Sequence, residues 1–84
     1  MAVNEVEFGT YGETVKNICY IIEKETEDLM VYGIRVKNIF NERSIMGLFE
    51  KREEVEKFAK TLIVNDVSPL HLFEIADDYV GSII

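Results

Sequence analysis

Cys19 and His71 are the one cysteine and the one histidine in this 84-residue chain. In principle they could form a thiolate–imidazole pair, a nucleophile activated by a base. Activation needs the two within hydrogen-bond reach and a third group to orient the base. Cys19 stands between Ile18 and Tyr20-Ile21, a setting in which cysteine behaves as a small buried hydrophobe. His71, Glu74 and Asp78 fall at i, i+3 and i+7, so one helix face carries an imidazole and two carboxylates. A divalent ion there would need ligands from other elements, and no Cys/His pair has the spacing of a structural zinc site. Glycine-rich phosphate loops, zincin motifs and dinucleotide fingerprints are lacking. These residues predict no catalytic group, no metal site and no cofactor; the chain reads as a non-enzyme.

Glu74, Asp77 and Asp78 are the candidate binding residues. They share an arc of one helix, where like charges at this spacing repel by about 0.2–0.5 kcal/mol per pair. They also lie toward that helix's C-terminus, where the macrodipole favours cations. Such a break with local rules is where function tends to show. The plain alternative is a solvated face, or pairing with Arg35, Lys37 or Arg43 on the sheet.

The elements that must position these groups follow from periodicity. Residues 1–13 are acidic, carry Gly9 and Gly12, and read as a loose N-terminal arm with room for a short strand at Glu5–Phe8 on a sheet edge. Thr14–Lys24 has strand composition, with Ile18, Tyr20 and Ile22 on one face and Val15, Cys19 and Ile21 mostly on the other. The polar run Glu23–Asp28 predicts a turn. Leu29–Asn38 alternates as a strand with Met30, Tyr32, Ile34 and Val36 on one face. Asn41-Glu42-Arg43 predicts the next turn, and Ser44–Glu50 a third strand. Connections this short imply an antiparallel meander.

The period then changes. Val55, Phe58, Ala59, Leu62 and Ile63 predict a helix over about 51–65, supported by Glu53–Lys57 and Glu56–Lys60 pairs and by acidic residues in its first turn. Ser68 as N-cap and Pro69 at the first position open a second helix with Leu72, Ile75, Ala76, Tyr79 and Val80 buried and Gly81 as its stop. The expected fold is α+β: a three-stranded antiparallel meander, with room for a short fourth strand at its N-terminus, then two helices packed on the sheet. The order is β-β-β-α-α, in one small domain over residues 1–84.

Tyr32-Gly33-Ile34, Arg52-Glu53-Glu54-Val55-Glu56 and Ser68-Pro69-Leu70-His71-Leu72, closed by Asp77-Asp78, carry a resemblance across roughly residues 28–80. The chain resembles a family of short uncharacterised proteins of Gram-positive anaerobes. Its members have a YGI-type strand, a DREEVE-type helix start and an SPIHL-type second helix ending in acidic residues. Phe49-Glu50-Lys51 stands where that family would place a Ser/Thr-Asp cap. The resemblance implies the element order and no reaction.

Composition bounds the function. Apolar residues make up 48 % and charged residues 30 % of the chain, the balance of a folded globular domain. No apolar run nears the length of a membrane span, no secretory signal is apparent, and a lone cysteine fits a reducing, cytoplasmic setting. The net charge is −7, the wrong sign for direct nucleic-acid binding. By segment it is −3 over 1–13, −2 over 14–28, +1 over 29–50, 0 over 51–66 and −3 over 67–84.

The leading expectation is therefore a small acidic, non-enzymatic protein-binding module, an adaptor or inhibitor of a partner with a basic surface. The alternative is nucleic-acid mimicry: an inhibitor that occupies a basic groove, as a phage-encoded anti-CRISPR or other anti-defence protein would. Four tyrosines and five phenylalanines suit either a core or an interface. A homodimer stays open, because a three-stranded sheet has two edges and the tail Ile83-Ile84 is awkward in water.

Overall fold

Tyr11 sets the largest difference between expectation and structure. A computed structural model describes residues 3–83, with side chains as far as Gly81, so the Ile83-Ile84 side chains lie outside the described residues. The supposedly loose arm is a nine-residue strand, β1 (Val3–Tyr11), paired along its length with β2 (Asn17–Glu25). Tyr11 anchors it. Its side chain is buried, and its hydroxyl donates to the Val67 carbonyl at 2.5 Å. The strand also has a bulge between Glu7 and Gly9. Phe8 packs on the core, and Gly9 lies where a Cβ would meet Ile63 Cδ1 at 3.0 Å.

Strands β3 (Met30–Lys37) and β4 (Glu42–Phe49) complete an antiparallel sheet in the order β1-β2-β3-β4, and two helices follow. The order is thus β-β-β-β-α-α: the short fourth strand allowed for at the N-terminus is present and runs longer than Glu5–Phe8. Both central turns also shift. β2 runs on through Glu25, and the first turn closes at Thr26–Leu29, where the Thr26 amide and hydroxyl both donate to the Leu29 carbonyl. The second turn is Asn38–Asn41, so Glu42 and Arg43, expected in a turn, are already strand.

Cross-strand register puts Cys19, Ile21, Ile34 and Val36 on the face that the helices cover, all at most 1 % exposed. α1 (Arg52–Val64) lies across all four strands, with Val55, Phe58, Ala59 and Leu62 buried completely, as the spacing predicts. Its N-cap, Lys51, makes no side-chain cap. Arg52 instead joins Glu23 on β2 at 2.8 Å to Glu56 at 3.0 Å. Among the described residues this pair forms, and Glu53–Lys57 and Glu56–Lys60 do not. At the far end Asp66 takes a left-handed conformation (φ 53°). The Val67 amide then reaches the Leu62 carbonyl and the Asp66 amide that of Ile63, at 3.0 and 3.2 Å. This is the Schellman closure, and it turns the Val67 carbonyl toward Tyr11.

Ser68 is extended and makes no side-chain cap, contrary to expectation, and Pro69–His71 form a single 3-10 turn. α2 (Leu72–Ile83) follows and passes through Gly81 without stopping. Nothing lies within 4 Å of a Cβ built there. Leu72 and Ala76 are buried, and Ile75 and Tyr79 pack beside them. Phe49, Phe58 and Tyr79 tie β4, α1 and α2 together, with ring centroids 5.0–6.0 Å apart.

Candidate binding site

Phe73 is the residue that the helical stripe leaves out, and it marks the site. On α2 it stands with Ala76, Asp77 and Val80 along one flank, turned from the core toward β4. With Ile45 and Leu48 these residues line an open groove of about 310 Å³. The groove is apolar except for Asp77 on its lip, and Phe73 is 54 % exposed in it. β4 supplies the opposite wall because it leaves regular register. Between Tyr32 and Ile34 of β3, the partners on β4 jump from Phe49 to Ile45. Gly33 makes this possible: a Cβ there would lie 2.3 Å from the Ile45 carbonyl oxygen and 2.9 Å from Met46 Cα.

The three acidic residues named from the sequence are all exposed on α2 but do not act as a unit. Asp77 belongs to the groove. Glu74 turns the other way, 3.6 Å from His71 Nδ1, and lines a separate hollow with residues 65–68 and Ile75. Asp78 points outward from the same helix. The proposed sheet partners are engaged elsewhere. Arg35 lies on the sheet's open face between Glu5 and Glu42, above the Tyr20 ring at 4.8 Å. Lys37 also stands over Tyr20, and Arg43 donates to the Glu42 carbonyl. The acidic strand β1 and the acidic helix α2 occupy opposite edges of the sheet.

Cys19 and His71 are not a pair. Cys19 is fully buried, and burial pushes its thiol up to about 12, where no thiolate is available near neutrality. The His71 side chain is 66 % exposed. Among the described residues, no three His, Cys, Asp or Glu side chains gather closely enough for a metal ion, and no helix is long and apolar enough to cross a membrane. A larger hollow, about 480 Å³, lies under the β1–β2 loop and includes Glu13, Asp66 and Ser68. The Tyr11 hydroxyl on its wall is committed to Val67.

Phe73 and the pair Ile39-Phe40 were missed by periodicity. Two large apolar residues between Asn38 and Asn41, where a turn should be polar, are the signal that could have found the latter.

A four-stranded antiparallel meander covered on one face by two helices defines a small α+β domain. The chain belongs to a family of unknown function, DUF6514, whose model matches residues 3–82. No curated protein and no solved structure matches it.

Proposed function

We propose that the protein is a non-enzymatic binding module, an adaptor or inhibitor whose contact surface is the α2–β4 groove. One observation carries the reading: an exposed aromatic, Phe73, in an apolar groove with a carboxylate on its lip. Buried aromatics with a charged rim are the usual energetic centre of an interface. The partner is a protein segment with a large apolar side chain flanked by Lys or Arg, in a reducing compartment such as the cytoplasm.

Nucleic-acid mimicry has less behind it. A mimic needs carboxylates along one ridge, whereas β1 and α2 lie on opposite edges and Glu5 and Glu42 are paired with Arg35.

The test is capture from lysate with the whole chain as bait, compared among wild type, Phe73→Ala, Asp77→Lys and a distant control, Asp28→Lys. The reading expects a partner lost with either groove variant, by about tenfold or more, and kept by the control. Capture indifferent to Phe73 and Asp77 would discard it.

A further inference from the structure

The turn between β3 and β4 holds two of the three most exposed large apolar side chains among the described residues, Ile39 at 86 % and Phe40 at 70 %. It is a built turn. Asn38 Oδ1 accepts from the amides of Phe40 and Asn41, each at 2.8 Å, and the Asn38 amide donates to the Asn41 carbonyl at 2.9 Å. Asn38 Nδ2 also donates to Oδ1 of Asn17, which is buried, at 2.9 Å. A polar framework therefore holds two apolar side chains in water, where they are costly unless something covers them.

The surroundings are basic. Lys16 and Lys37 share a hollow with Ile18, Asn38 and Ile39, and Arg43 follows the turn. The nearest carboxylate in sequence, Glu42, is taken by Arg35. Arg43 pairs with the buried Val36 and so shares the helix-covered face with the groove beside α2. That groove is the turn's complement: concave, apolar and acidic at the lip. We infer that the Ile39–Phe40 tip of one copy seats in the α2–β4 groove of a second copy, which makes the protein a weak reciprocal homodimer.

This rests on the groove being the binding surface proposed above. Tip and groove lie along one strand: from Phe40 to Ile45 is five residues, roughly 17 Å of chain. A tip held in the hairpin cannot fold back into the groove of its own copy. β4 is the sheet's edge strand, so a two-fold axis near Arg43 would bring each tip to the other copy's groove in a closed, isologous contact. Each tip would bury on the order of 300 Å². Two tips with their grooves make roughly 1,200 Å², the low end of specific interfaces. An interface at that end of the range is typical of transient association, which an external partner could displace.

Sedimentation velocity on the whole chain, from micromolar to submillimolar, tests this. Wild type should dimerise reversibly. A tip variant, Ile39→Asn with Phe40→Ser, and a groove variant, Phe73→Ala with Asp77→Lys, should each weaken association about thirtyfold or more. All four side chains are exposed, so circular dichroism should remain that of wild type. A mixture of the two variants should associate more than either alone, because one tip and one groove stay intact. A wild type that is monomeric throughout, a variant that dimerises as wild type does, or a mixture that gains nothing overturns the inference. A monomer whose lysate capture still depends on Phe73 and Asp77 would remove only this inference. Capture indifferent to those residues, with dimerisation sensitive to them, would remove the partner reading and leave the dimer.

Discussion

Tyr11 and Cys19 are both buried, each for a different reason. Cys19 sits in a run of β-branched and aromatic residues, so its burial was legible. Tyr11 stands between Gly9 and Gly12 in an acidic stretch, and its role depends on a carbonyl 56 residues away. No local pattern carries that. Replacing Tyr11 by Phe keeps the packing and leaves the Val67 carbonyl without its donor. The expected loss is about 1–2 kcal/mol, read as a lower urea midpoint with an unchanged m-value. Both residues also predict the alkaline limit. Burial raises the Cys19 thiol from its ordinary 9.0 to about 12. The Tyr11 hydroxyl is also held above its usual value, first by burial and then by Cys19 and Asp66. An acid raised on folding holds its proton more tightly when folded, so its stability is fully present below the unfolded pKa and is lost as pH climbs toward the folded one. Urea midpoints should therefore stay flat up to about pH 9 and fall beyond it. Cys19→Ala should make that fall shallower, whatever it costs at neutral pH.

At the scale of elements, alternation and the helical stripe located β2, β3, β4 and both helices to within a few residues. The faces of β3 and α1 came out as the spacing required. Composition misleads where a tertiary contact or a tolerated residue competes with it. Glu23–Asp28 is polar enough for a turn, yet Glu23 stays in β2 because Arg52 reaches it. Gly81 is of the type that stops helices, yet α2 crosses it at modest cost. Two substitutions separate the glycines by what surrounds them. Gly33→Ala drives a Cβ into the backbone of Ile45 and Met46, and should cost about 3 kcal/mol as the bulge of β4 is forced away. Gly81→Ala meets nothing and should gain about 0.5–1 kcal/mol by removing backbone entropy from an exposed helical site. Thermal melts of the two variants should move in opposite directions.

For the molecule as a whole, the net charge of −7 was legible and its distribution over segments was correct, but segments are not surfaces. Strand order decided which acidic pieces could meet, and it put β1 and α2 on opposite edges. The groove was invisible for the same reason: its two walls come from β4 and α2, about 30 residues apart, and its most exposed residue belongs to neither predicted stripe. The salt response should reflect the division. A partner held by an apolar groove with one carboxylate on its lip should weaken only a few-fold between low and physiological ionic strength. A polyanion mimic would lose affinity steeply over the same range, and titrating the captured partner across that range separates them.

The Tyr11–Val67 tie also orders events while the chain is being made. β1 leaves the ribosome first, but its anchoring carbonyl arrives only after all of α1 and the reversal at Asp66. Until then the first strand can pair with β2 and can be lost again, because its end has nothing to hold. A strand made before the other described elements is thus among the last to be secured. A nascent chain halted before Val67 should expose Tyr11 to proteolysis that the finished protein resists.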